Sequence, residues 1–145
     1  MSYNLLEEIY AMTKEEIINA ANERSSFNKN NEIKIVDFGD DFCIVEGVLC
    51  EKTMNPMGMA HGGFVYSLCD VAAGVAASRL NRRGVTLSGN VYYLRPSKGA
   101  KLRVEGKVVK DGKSVVLVET NVYDDKNVLT ARGEFQVYIV DEQRG

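Results

Sequence analysis

The sequence predicts an α+β domain in which an antiparallel sheet wraps around one buried helix, and three observations carry that reading. From 64 to 77 nearly every residue is apolar or small, so a helix there is hydrophobic almost all round and belongs inside a protein. Two short β-patterned runs precede it and four longer ones follow, bounded by glycine and polar turns. Asp111-Gly112, between two alternating apolar runs, is the strongest hairpin signal in the chain. Two strands, one sealed helix and four more strands make an α+β arrangement. With 145 residues, 45% hydrophobic and 26% charged, the chain suits one domain with a sizeable core.

The first part of the chain, 1–31, reads as a helical arm, and 32–145 as the domain. Thr13-Lys14-Glu15-Glu16 has the form of a capping box, in which the threonine caps the helix and the glutamate reaches back. Ile17, Ile18 and Ala21 give this helix an apolar face, and Leu5, Leu6, Ile9 and Met12 give a short amphipathic piece before it. The polar run Asn28-Lys29-Asn30-Asn31 is expected to end the helix. Strands follow at 33–38 and 42–50, joined by the turn Gly39-Asp40-Asp41. Asn55 sits in the next loop, where Pro56 and Gly58 let the chain fold over the helix start. After a polar turn at 81–84 come strands at 85–94, 101–110, 113–123 and 128–140.

Several classes of function are disfavoured. A net charge of −2 without a run of Lys and Arg gives no footprint for nucleic acid or an anionic membrane. About fourteen apolar residues are too few to span a bilayer. No signal-peptide pattern opens the chain, which makes the cytoplasm the default location. Cys43, Cys50 and Cys69 form no C-x-x-C pair and read as small buried hydrophobes. A single histidine and no cluster of ligands at metal-binding spacing leave no metal centre to expect. The G-x-S-x-G elbow of serine hydrolases is missing.

What remains is the helix itself. Ser67, Asp70 and Gly74 share one narrow stripe of it, and a carboxylate on such a helix is costly unless paired or used. Just before it stand His61, the only histidine, and Gly62-Gly63. Glycines at a helix start let a ligand approach the free N–H groups of the first turn, where the helix dipole favours negative charge. The Gly63 N–H is thus a candidate acceptor site for a developing oxyanion, and Asp70 a candidate base or nucleophile. Seven residues separate them, about 10 Å along the axis, too far for both to act on one small group within a chain. A two-fold dimer would bring one chain's helix start to the other's aspartate.

The pattern N-x5-H-G-G-x6-D, formed by Asn55, His61, Gly62, Gly63 and Asp70, resembles the hotdog-fold acyl-CoA thioesterases of the PaaI-like, phenylacetate-pathway type. The likeness runs from about 32 to 140 and includes Leu94-Arg95-Pro96 and the turn at Gly112. It implies a hotdog fold, a coenzyme A thioester as substrate, and no separate cofactor. It also implies that Asn55 and Ser88 position water or the carboxylate and that His61 holds the loop. Gly62 and Ser67 would meet substrate beside the helix start. Arg95, Lys98, Lys113 and Ser114 would meet coenzyme A, and Phe64, Val65, Leu68 and Leu87 would line a tunnel for the acyl group. A homodimer or homotetramer is expected. A hotdog hydratase or dehydratase and a non-catalytic acyl-CoA binding protein stay open as alternatives.

Overall fold

A computed structural model describes residues 11–78 and 81–142. In chain order the elements are α1 (Lys14–Arg24), α2 (Ser26–Asn30), β1 (Ile33–Phe38), β2 (Phe42–Val48), a 3₁₀ turn (Glu51–Thr53), α3 (Gly62–Ser78), β3 (Arg82–Tyr93), β4 (Lys101–Asp111), β5 (Val115–Tyr123) and β6 (Leu129–Glu142). All neighbouring strands are antiparallel, in the order β1-β2-β4-β5-β6-β3. This is the predicted sheet around a central helix, the hotdog arrangement.

Alternation along the strands explains where the core sits. In β5 every second residue is buried, so Val116, Val118 and Val122 face α3 while their neighbours turn away. α3 answers with Ala72, Ala73, Ala76 and Ala77, all fully buried. Small side chains let the helix backbone lie close to the strands. At Gly106 on β4 the approach is so close that an added Cβ would stand 2.9 Å from the Ala72 carbonyl oxygen.

At its far end, α3 is tied down by Arg82. This buried side chain donates from Nη2 to the Ala77 carbonyl at 2.7 Å and pairs with Asp111 at 2.7 Å. The end of α3 is therefore joined to the end of β4. The arm is joined to the opposite sheet edge, where the Asn22 amide bonds both the N–H and the carbonyl of Ile35 on β1.

The capping box at Thr13 and Glu16 forms as read, with both reciprocal bonds present. Asn28–Asn31 does not simply end a helix, however. Ser25 accepts from the Asn28 N–H and starts the separate five-residue α2, in which Asn28 is buried. The amphipathic piece expected around Leu5 and Ile9 lies outside the described residues. β2 stops at Val48, so Cys50 precedes the 3₁₀ turn and is only half-buried, whereas Cys43 and Cys69 are buried. β3 begins earlier than expected, because 82–84 pairs with β6 instead of forming a turn.

Replacing Gly106 by alanine pushes a methyl into the Ala72 peptide. We expect a loss of about 1–3 kcal/mol in chemical denaturation.

Candidate active site

The loop before α3 is built by backbone bonds and one asparagine. Asn55 Oδ1 accepts from the N–H groups of Met57 and Met59, and Asn55 N–H donates to the Met59 carbonyl. The His61 N–H donates to the Thr53 carbonyl at 2.9 Å, and Ala60 N–H to the Ser97 carbonyl at 2.9 Å. Together these bonds hold His61 directly ahead of the helix.

The first four N–H groups of a helix have no partner within it. Counting from His61, three of them find one nearby: His61 donates to the Thr53 carbonyl, Gly63 to His61 Nδ1 at 2.9 Å, and Phe64 to the His61 carbonyl, which also takes the first regular helical bond from Val65. As an acceptor, Nδ1 is unprotonated, which puts the proton of the neutral ring on Nε2. The Gly62 N–H makes no hydrogen bond among the described residues. The open donor is thus Gly62 and not the expected Gly63, whose amide the imidazole already occupies.

Gly62 opens on a cleft of about 380 Å³ whose walls include Asn55, Val65, Tyr93, Arg95 and Ser97. The Tyr93 hydroxyl donates to the Gly62 carbonyl at 2.7 Å. Partial burial, then the electrostatics of Cys69 and Tyr66, raise the Tyr93 phenol above its ordinary range, though the residue as a whole is 54% exposed. A second recess of about 260 Å³ lies on the other side of the helix start, between His61, Gly63, Ser67, Lys52 and Phe27 of α2. Ser67 itself bonds back to the Gly63 carbonyl at 2.8 Å.

Asp70 stands two turns further along, half-buried, on the stripe of α3 that the sheet leaves uncovered. Gly74 lies on the same stripe, and a side chain added there would meet nothing within 4 Å. The Thr86 hydroxyl donates to Asp70 Oδ1 at 2.5 Å. Neighbouring Cys69 is no rival nucleophile, because burial chiefly, with Asp70 adding to it against a lowering bond from Thr120, pushes its thiol to about 11.

Thr86 occupies the place expected for Ser88. Simple alternation would put both on the helix side of β3, but the pairing shifts between them: Thr86 faces buried Val137, whereas Ser88 faces exposed Gln136. That bulge turns Ser88 to the outer face, beside Leu117 and Glu134. The apolar tunnel does not form within the chain either. Phe64, Val65 and Leu68 pack into the core, with Val65 also reaching the Gly62 cleft and Phe64 the second recess, and Leu87 stands 57% exposed at the bulge. Among the expected coenzyme A contacts, Arg95 lines the cleft and Lys98 is exposed in the loop just beyond it. Lys113 and Ser114 follow the end of β4 that Arg82 ties to the last turn of α3. The 17-residue helix, about 25 Å long, separates them from Gly62.

Two site residues went unread in the sequence. Thr86 is one of many strand threonines until the bulge selects it. Tyr93 is visible only as an aromatic before Leu94-Arg95-Pro96.

Comparison with known proteins identifies the family and the fold. The model of the thioesterase superfamily matches residues 57–131, just over half of the chain. A Saccharolobus solfataricus protein bearing an esterase name is 35% identical over 92 residues, 61% of each chain, so the match spans less than two thirds of that relative's length. The E. coli PaaI protein from the phenylacetic acid degradation operon superposes with a TM-score of 0.80 at 20% identity, covering 86% of this chain and 91% of its own. A Streptococcus mutans protein solved bound to acetyl CoA has a TM-score of 0.72 at 26% identity over 77% of this chain and 91% of its own. Streptococcus pneumoniae thioesterase structures at 22% identity, with TM-scores of 0.71, include an Asp→Ala and a Thr→Ala variant altered 16 positions apart. The chain belongs to the thioesterase superfamily and has the hotdog fold.

Gly62→Pro replaces that N–H with a ring carbon at a helix position proline tolerates. Thioester turnover should fall by about 10²–10³ with folding retained, while Gly62→Ala, whose methyl meets only ordinary contacts, stays within about tenfold. Steady-state kinetics and circular dichroism check both.

Proposed function

We propose that the chain is an acyl-CoA thioesterase, acting as a dimer in which Gly62 of one protomer and the partner's Asp70 share each site. The observation that carries the reading is the Gly62 N–H at the start of α3, which has no partner among the described residues, in a family of thioesterases. Acetyl CoA in the S. mutans neighbour, and coenzyme A in a S. pneumoniae one, support the substrate class. The 16-residue separation of the Asp and Thr variants in the S. pneumoniae thioesterase equals that of Asp70 and Thr86 here, which supports the pair.

In this scheme the thioester carbonyl accepts the Gly62 N–H at the positive end of the α3 dipole. Negative charge building on that oxygen is stabilised as the carbonyl carbon becomes tetrahedral. Asp70 either takes a proton from the attacking water or attacks directly to form an anhydride that water then opens. The carbon–sulfur bond breaks, coenzyme A leaves as the thiolate, and the acid is released. Thr86 holds one carboxylate oxygen and leaves the other for the reaction. Arg95 and Lys98 flank the cleft as cations for the phosphates of coenzyme A.

Two features support the dimer. β3 is a strand of 12 residues at the edge of the sheet among the described residues. The uncovered stripe of α3, with Gly63, Ser67, Asp70 and Gly74, offers small residues for close approach of a second helix. Two such dimers would pair through the outer face, where Val85, Leu87, Tyr138 and Val140 are exposed.

Free-thiol release from aromatic and aliphatic acyl-CoA thioesters tests the activity. Asp70→Asn should lower turnover by at least about 10² with folding and assembly intact. Thr86→Val, which removes one bond to a charged carboxylate, should cost about 10-fold or more. Binding of coenzyme A esters without release by the wild type would make the protein a binding module instead.

A further inference from the structure

We infer that Tyr93 is a positioning residue, which with His61 clamps the Gly62–Gly63 peptide and thereby leaves the Gly62 N–H as the one donor presented to substrate. The inference rests on the thioesterase reading of the site and deepens it. Two adjacent glycines begin α3, so no Cβ restrains the first turn and its backbone would otherwise sample many directions. A donor for a developing oxyanion works only when its direction is set in advance. The chain must therefore hold this start by other means.

A peptide unit is planar, so fixing its oxygen and its hydrogen fixes the whole plane. The Gly62–Gly63 unit is held at both: Tyr93 donates to its oxygen at 2.7 Å, and His61 Nδ1 accepts its N–H at 2.9 Å. The preceding unit is held through its oxygen alone, since the His61 carbonyl takes the Phe64 and Val65 N–H groups. Its free end is the Gly62 N–H. With one plane fixed at both ends and the other held at its oxygen, the Gly62 N–H is confined to a narrow range of directions.

Tyr93 is well placed to impose this. It is the last residue of β3, paired with Ala131, and the next two N–H groups, Leu94 and Arg95, both bond the Thr130 carbonyl. Its ring lies against the Gly62 backbone, within ordinary contact of a Cβ built there. The anchor is thus a sheet, not a loop. Tyr93 touches no reacting atom in this arrangement; it acts through the amide that does.

Tyr93→Phe keeps the ring and removes only the hydroxyl. The account predicts a fall in kcat of about tenfold with KM within about twofold and an unchanged melting temperature, because the lost alignment matters only when charge develops. Tyr92→Phe, on the neighbouring outward-facing tyrosine, should retain wild-type kcat. With ¹⁵N-glycine labelling, the Gly63 amide of the wild type should exchange more slowly than that of Gly62, and both resonances should move in Tyr93→Phe. Wild-type kcat in Tyr93→Phe, or a Gly63 amide that exchanges as fast as Gly62 in the wild type, would overturn the clamp. Absence of thiol release from the wild type would instead remove the thioesterase reading, and the amide measurements would still decide whether the clamp exists.

Discussion

The close seat of α3 against the sheet governs what the molecule can do. Its alanines and the glycine facing them on β4 bring helix and strand backbones almost into contact, and polar groups along that surface are costly to bury. Chemistry is therefore confined to two places: the glycine start, where backbone N–H groups emerge, and the one stripe that the sheet leaves open. Gly62 stands at the first and Asp70 on the second.

In the proposed mechanism that confinement makes a lone chain an incomplete site. The helix sets the distance between donor and carboxylate, and no side-chain motion shortens two turns of rigid backbone. The hydroxyl that orients Asp70 comes from β3, a strand at the edge of the sheet, so the carboxylate is prepared on the very margin where a second copy would add. The helix start is organised by His61 and the Asn55 loop, together with Tyr93 at the other end of the same strand. Donor and carboxylate thus stand two turns apart along α3, and in the proposed dimer a two-fold axis would unite them.

Much of this was legible in the sequence, and the rest was not for specific reasons. An apolar run with a single carboxylate announces a buried helix, and strand periodicity with Asp111-Gly112 announces the sheet. His61, Gly62, Gly63 and Asp70 mark the site by chemistry and spacing alone. Pattern could not tell which glycine amide is free, because that depends on where the His61 ring turns. Nor could it choose Thr86 over Ser88, since an even period puts both on one face until a bulge intervenes. Spacing along the chain likewise gave no hint that Lys113 and Ser114 lie a helix length from Gly62. Phe64, Val65 and Leu68 were read as tunnel walls for their apolarity, but the same property draws them into the core.

The most direct test of the shared site is subunit complementation. Chains carrying Asp70→Asn and chains carrying Gly62→Pro, each inactive alone, would be mixed, dissociated and reassembled, and thiol release measured. In a shared site the mixed dimer has one doubly altered and one intact centre, so random reassembly should restore about a quarter of wild-type activity. No recovery, with mixed dimers demonstrably formed, would place both residues in a site within one chain and contradict the account.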